Sequence, residues 1–247
     1  MKISKIDFER YSKQIILKEF GIIGQKKTMS SKVLIFGIGG LGCPLSIYLA
    51  NLGIGNIGIV DDDKVELSNL NRQIIFSQKD IGKYKVDVAK QKIKEINKRI
   101  KVNSYKIRVN VKNIEKIIKN FDIICDGTDN FETRYIINDF CLKQKKILIS
   151  AAVSGFEGHI FKFDFKERTP CYRCFMPQIP KQSLNCSVDG VTPTITGVMG
   201  TLQANEVMNS ILKVKTNLNK KMLIFDSLEM NFRKINLSIN KKCKNKC

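Results

Sequence analysis

Residues 33–42, Val33-Leu34-Ile35-Phe36-Gly37-Ile38-Gly39-Gly40-Leu41-Gly42, decide the fold. Four apolar residues read as a strand buried on both faces, Gly37, Gly39 and Gly42 stand in G-x-G-x-x-G spacing, and a helical stretch follows until Gly53 stops it. That order places backbone N–H groups at a helix N-terminus, where phosphate oxygens bind. The next strand, 57–60, runs into Asp61, a carboxylate suited to accept hydrogen bonds from ribose hydroxyls. The stretch is a nucleotide site, and by itself it does not separate NAD from ATP. A nicotinamide-dependent oxidoreductase stays open here.

Outward from this unit, helix and strand alternate. Residues 87–98 predict a helix, 102–109 a third strand, and 114–119, 121–125, 132–143 and 147–151 continue the alternation expected of a mostly parallel sheet covered on both faces. Then the period changes. His159-Ile160-Phe161-Lys162-Phe163-Asp164-Phe165 alternates every second residue, as an antiparallel strand does, and a helix over about 195–212 and strands near 222–226 and 232–239 complete an antiparallel extension. Toward the N-terminus, residues 7–20 predict a docking helix with Asp7 as N-cap and Gly21 as stop. The expectation is a Rossmann-like α/β fold over 1–247, with the nucleotide-binding part at about 30–153 and an antiparallel, zinc-bearing part at about 154–247.

Composition narrows the class. The 247 residues, 43% of them hydrophobic, suffice for one full core. No apolar run is long enough for a membrane span and Met1-Lys2-Ile3-Ser4-Lys5 lacks the apolar centre of a signal peptide, so a cytoplasmic protein is expected. In that compartment the eight cysteines are read first as metal ligands rather than disulfides. The formal charge of +20 invites a nucleic-acid reading, but the lysines are spread along the chain and no base-reading or stacking motif accompanies them. A basic surface serves encounter with an acidic protein partner or a nucleotide.

The segments after the second and fourth strands favour phosphate chemistry over hydride transfer. Ser68-Asn69-Leu70-Asn71-Arg72-Gln73 and Lys85 follow Asp61-Asp62-Asp63, and Arg72 and Lys85 can neutralise a triphosphate. Asp126-Gly127-Thr128-Asp129-Asn130 closes the fourth strand, where Asp129 suits a Mg²⁺ ligand.

In these motifs the chain resembles the ThiF/MoeB adenylyltransferases of thiamine and molybdopterin synthesis, relatives of ubiquitin-activating enzymes. The resemblance covers nearly the whole chain. It rests on Arg10-Tyr11-Ser12-Lys13-Gln14-Ile15, Gly37 to Gly42, Ser68 to Gln73, Thr128-Asp129-Asn130, Cys171-Tyr172-Arg173-Cys174 and Gly197-Val198-Met199-Gly200-Thr201-Leu202-Gln203-Ala204. It implies ATP and Mg²⁺ contacts at Gly40, Asp61, Ser68, Asn69, Leu70, Asn71, Arg72, Lys85, Asp129 and Asn130. It also implies a homodimer and, as partner, a ubiquitin-like sulfur carrier (ThiS-like or MoaD-like) supplied by a sulfurtransferase or cysteine desulfurase. The reaction implied is adenylation of the carrier's C-terminal glycine carboxylate with release of pyrophosphate. The thiamine branch is read first, from Asp61-Asp62-Asp63 and the 198–204 segment, and the molybdopterin branch is the alternative. That carboxylate is ionised at neutral pH and needs no general base, so His159, the one histidine, is read as structural.

Cys171, Cys174, Cys243 and Cys247 offer four thiolates in two short-range pairs, the set a tetrahedral zinc site requires, and the family resemblance supports it. The family ends in C-x-x-C and this chain in C-x-x-x-C. Lys13 stands where the family carries an arginine that reaches the partner's ATP, and a lysine offers a point charge without the fork. Cys186 occupies the loop where the family has a cysteine near the adenylated tail, implicated in the thiamine branch in linking to the carrier. Cys43, Cys125 and Cys141 read as small buried hydrophobes.

Overall fold

The computed structural model describes residues 3–178, 190–214, 218–245 and 247. One sheet organises them. Its strands are β1 (Lys32–Phe36), β2 (Asn56–Val60), β3 (Lys101–Tyr105), β4 (Ile123–Asp126), β5 (Ile147–Ser154), β6 (Glu157–Asp164), β7 (Lys221–Asp226) and β8 (Asn231–Asn236), in the order β3-β2-β1-β4-β5-β6-β7-β8. β3, β2, β1, β4 and β5 pair in parallel, and β6, β7 and β8 add antiparallel, as the change of period at His159 foretells. The order reverses between β1 and β4 after β3, which opens a crevice at the carboxyl ends of those strands.

Alternation along β1 sends Val33 and Ile35 to one apolar core and Leu34 and Phe36 to the other. Helices α3 (Gly42–Leu52), α4 (Lys85–Ile96) and a long helix at Pro193–Leu212 bury the first face, while α5 (Ile114–Ile118) and α6 (Phe131–Lys143) bury the second. The long helix is α8; a short one, α7 (Tyr172–Phe175), precedes it. No described helix is long and apolar enough to cross a membrane.

At the N-terminus the structure corrects two expectations. Helix α1 (Lys5–Ile15) is capped by Ser4, whose hydroxyl accepts from the Asp7 N–H while the Asp7 carboxylate accepts from the Ser4 N–H, so Asp7 is the third residue of a capping box and not the cap. Gly21 does not stop that helix but begins another, α2 (Gly21–Ser30). The two glycines of α2 hide it in the sequence, and packing explains one of them: a Cβ on Gly24 would lie 2.8 Å from Leu212 of α8. The third strand also ends sooner than the sequence suggests, freeing Ile107, Arg108 and Val109 to line the crevice.

Candidate active site

The crevice is a cleft of about 520 Å³ at the carboxyl edge of the parallel strands. Its floor is the glycine turn. Gly37 holds φ +84°, and a Cβ there would sit 3.0 Å from the Gly127 carbonyl oxygen. A Cβ on Gly42 would come within 2.0 Å of the Gly37 carbonyl oxygen, so Gly42 closes the turn and does not line the cleft. Gly39 and Gly40 do line it, at the start of α3. Amides at that helix start suit an anion.

Asp61 directly follows β2, the strand expected to run into it, and its carboxylate is already engaged: it accepts from the Ile38 N–H at 2.8 Å and the Asp63 N–H at 2.9 Å. Burial raises its pKa above the usual aspartate range, against the opposing pull of Lys85 and those two amides. Lys85, the first residue of α4, is buried, and its ammonium meets Asp63 at 2.8 Å. Arg72 enters from the segment after β2, where its guanidinium donates to the Ser68 carbonyl and the Asn71 side chain, both at 3.0 Å. Ser68, Asn69, Leu70 and Asn71 therefore frame the cleft rather than line it. The Asn69 side chain accepts from the Glu66 N–H, and Leu70 packs on the core. Beyond β1 from Asp61, exposed Asp129 lines the cleft, as does Asn130, whose side-chain oxygen caps α6 by accepting from the Thr133 N–H at 2.9 Å.

One buried network escapes the sequence reading. Asp126, the last residue of β4, accepts from the Ser150 hydroxyl at 2.6 Å and from the Thr128 hydroxyl and N–H at 2.6 and 3.0 Å. Arg134 of α6 lies 3.7 Å from that carboxylate and donates to Ser150 Oγ and to the carbonyls of Ala151 and Thr128. Together they lock the turn that presents Asp129. The signal was present: Arg134 shares the buried face of α6 with Ile137, Asn138 and Cys141.

The far wall of the cleft comes from the antiparallel part, through His159, Phe161, Tyr172 and Phe175. His159 thus borders the cleft, with Nε2 2.8 Å from a Glu157 carboxylate oxygen. Burial lowers its pKa despite Glu157, with Arg134 and Arg233 adding to the decrease, so the neutral ring is favoured.

Tyr172 and Phe175 ride on α7, which the cysteines anchor. The four sulfurs of Cys171, Cys174, Cys243 and Cys247 lie within 4.8 Å of one another, with Cys171–Cys243 at 3.7 Å and Cys243–Cys247 at 3.8 Å. Tetrahedral zinc with bonds of about 2.3 Å sets its sulfurs about 3.8 Å apart, so the donor set fits the ion. The longer C-x-x-x-C loop has a use: the Asn245 side chain donates to Asp139 at 2.7 Å and approaches Cys171 Sγ at 3.7 Å, while Arg173 forks onto the same Asp139. Cys43, Cys125 and Cys141 are fully buried, and burial pushes the Cys43 thiol up to about 12. Cys186 lies outside the described residues. Lys13 is exposed on α1, whose Arg10 and Gln14 donate to the Ile96 and Leu52 carbonyls at the C-terminal ends of α4 and α3. That is the end of α3 remote from the glycine turn, and Lys13 is not among the residues lining its own chain's cleft.

The family model described as the ThiF family matches residues 11–246. The chain belongs to the ThiF family. Relatives include the adenylyltransferase and sulfurtransferase MOCS3 of Culex quinquefasciatus, 42% identical over 238 residues (96% of this chain, 54% of the relative), and that of Caenorhabditis briggsae, 39% identical over 237 residues (95% and 59%). The chain thus spans little more than half the length of these relatives. Among solved structures, E. coli MccB with MccA-N7isoASN superposes at a TM-score of 0.85 with 24% identity, covering 98% of this chain and 75% of that one. E. coli MccB with ATP superposes at 0.80 with 23% identity, covering 99% and 82%. These likenesses carry the fold. Membership of the ThiF family sets the nicotinamide oxidoreductase aside.

Proposed function

We propose that this chain activates the C-terminal carboxylate of a ubiquitin-like sulfur-carrier protein by adenylation with ATP and Mg²⁺. The observation that carries the reading is the convergence on one cleft of an open glycine turn at a helix start, two cations at Lys85 and Arg72, and a carboxylate at Asp129. The turn amides at Gly39 and Gly40 bind phosphate oxygens and Asp61 faces the ribose, while Asp129 would hold Mg²⁺, which would supply positive charge to the phosphates. Lys85 and Arg72 stabilise the charge that develops as the carrier carboxylate oxygen bonds to the α-phosphorus and the bond to the leaving pyrophosphate breaks. The ionised carboxylate brings its own electron pair, so no side chain need accept a proton.

The carrier's tail enters along the aromatic wall of Phe161, Tyr172 and Phe175, which zinc on the four cysteines holds in place. A second copy supplies Lys13 to the cleft, as its placement away from its own chain's cleft requires of any phosphate contact. Relatives named MOCS3 support the molybdenum-cofactor branch at least as well as the thiamine branch, which reverses the order read from the sequence. A MoaD-like carrier is therefore the first substrate to try and a ThiS-like carrier the second. ATP–pyrophosphate exchange dependent on either carrier is expected, and Arg72→Ala or Asp129→Ala is expected to lower it by about 100-fold or more with the fold intact. Absence of exchange with both carriers, or full activity in both variants, overturns the proposal.

A further inference from the structure

The adenylation step asks no proton of His159, and packing does not account for the residue either. It stands on β6 in phase with Glu157 and Phe161, and with Phe161, Tyr172 and Phe175 it forms the wall of the cleft across from the nucleotide motifs. That wall is aromatic. The His159 and Phe161 rings lie 6.5 Å apart, and the Tyr172 hydroxyl is engaged by the Met176 sulfur at 3.8 Å. A polar ring in such a wall needs partners for both of its nitrogens.

One nitrogen is answered within the chain. Nε2 lies 2.8 Å from one carboxylate oxygen of Glu157, whose other oxygen is 3.8 Å from an Arg233 guanidinium nitrogen. His159, Ile224 and Arg233 stand in one row across β6, β7 and β8, so the sheet itself sets this arrangement. A carboxylate only accepts, so Nε2 carries the hydrogen. Burial, with Arg134 and Arg233, holds the ring's pKa down against Glu157, and the neutral ring leaves Nδ1 as a bare acceptor. Nδ1 has no hydrogen-bond partner among the described residues, and it is not one of the side-chain atoms sealed from solvent without one. It therefore opens on the cleft that His159 lines.

The chemistry of the missing partner follows from geometry. A bare acceptor takes an N–H or O–H donor, which ionised phosphates do not offer. The ribose hydroxyls and the base do, but Asp61 places them at β2, four strand spacings of about 4.8 Å from β6, roughly 19 Å away. What remains is the second substrate, a peptide tail with a backbone donor at nearly every residue. From the glycine turn after β1 to β6 is three spacings, roughly 14 Å, which an extended chain rising about 3.3 Å per residue covers in about four residues.

We propose that His159 is a substrate-binding residue whose Nδ1 accepts from one backbone N–H of the carrier's extended tail, about four residues before the reacting carboxylate. Glu157 is the positioning residue that holds the ring for it. The inference rests on the proposal that a carrier tail runs along the aromatic wall, and it gives the cleft a means of selecting an extended backbone upstream of the terminal glycine.

His159 is the one histidine, so protein labelled with nitrogen-15 in histidine reports its two ring nitrogens without ambiguity. The whole chain is titrated with a MoaD-like carrier, and with a ThiS-like carrier where the first does not bind, without ATP and above neutral pH. The free chain is expected to show Nε2 protonated and Nδ1 bare, and the bound carrier to shift the Nδ1 resonance toward the protonated range while Nε2 stays in place. Calorimetry with semisynthetic carriers, each with an ester in place of one tail amide, then locates the donor. One ester is expected to weaken binding by about fivefold, the scale of one hydrogen bond, and to cost nothing in His159→Phe. The effect of an ester on its own carbonyl is common to both proteins and drops out of the comparison. An Nδ1 resonance unmoved by a bound carrier, or an ester scan with the same profile in both proteins, overturns the assignment of His159. The resonance decides alone where His159→Phe fails to fold. Failure of both carriers to bind overturns instead the occupancy of the cleft by a carrier tail.

Discussion

Replacing Arg134 by Met tests whether the buried network behind Asp129 supports the site. The methionine keeps much of the stem and removes the guanidinium, leaving Asp126, 1% exposed, without its cation. At 3.7 Å and an effective dielectric of about 20, the attraction alone is about 4 kcal/mol, before the cost of desolvating both ions is set against it. Breaking such a pair from one side costs about 3–5 kcal/mol, because the remaining charge stays buried. For a chain of this size that is roughly a 10 °C fall in melting temperature. Urea unfolding of Arg134→Met, Asp126→Asn and the double variant measures the coupling. It should reach at least about 1.5 kcal/mol, because both residues share the Ser150 hydroxyl. The turn that carries Asp129 loosens in each variant, so carrier-dependent exchange should fall with the stability. A single-variant loss below about 1 kcal/mol, or energies that simply add, refutes the view that this pair holds the turn.

Three further outcomes are expected. Purified protein should carry about one zinc per chain by elemental analysis, and Cys171→Ser should lower both metal content and melting temperature, since ligation and folding are linked; unchanged stability of the metal-free chain removes zinc from the account. Asp7 is pushed up by burial but pulled down further by the Ser4 hydroxyl and N–H and by Arg99, so its folded pKa lies below the usual 3.8. Its stabilisation is therefore complete above the unfolded value and lost as pH falls through the folded one. The melting-temperature gap between the unmodified chain and Asp7→Ala, equivalent to about 1 kcal/mol near pH 7, should accordingly narrow below about pH 4, and a gap independent of pH contradicts the assignment. Finally, heterodimers of Lys13→Ala with Arg72→Ala chains should regain exchange that neither homodimer shows, because one of the two clefts is then complete. Demonstrated heterodimers without activity count against the contact between copies.

What the sequence makes legible, and what it does not, follows from where each constraint acts. The strand, turn and helix at 33–52 can be read directly because their main demands are local: Gly37 takes a positive φ, and a Cβ on Gly42 would meet the Gly37 carbonyl oxygen. The cysteine pairs are legible for the same reason, as each lies within one short segment. Helix α2 is not, because Gly24 is explained by Leu212, nearly the whole chain away. Ser68 to Asn71 show the limit of motif reading from the other side. They belong to the site's motif, yet the Ser68 carbonyl and the Asn71 side chain serve Arg72, the Asn69 side chain serves the Glu66 N–H, and Leu70 serves the core.

Arg134 and Gln73 are the instructive cases, since each is a polar residue where the local pattern calls for an apolar one. Arg134 falls in phase with Ile137 and Cys141 on α6, and Gln73 precedes the buried pair Ile75 and Phe76. Burying such groups is costly unless something completes them, so a polar residue in an apolar phase asks for a partner. For Arg134 the partner is in the chain: the topology carries Asp126 and Ser150 to neighbouring strands β4 and β5, whose pairing as Asp126↔Ser150 brings them under the helix. For Gln73 the described residues leave the buried side-chain oxygen without a hydrogen-bond partner. The partner that the buried polar signal of Arg134 asks for thus becomes visible only when the sheet order is known.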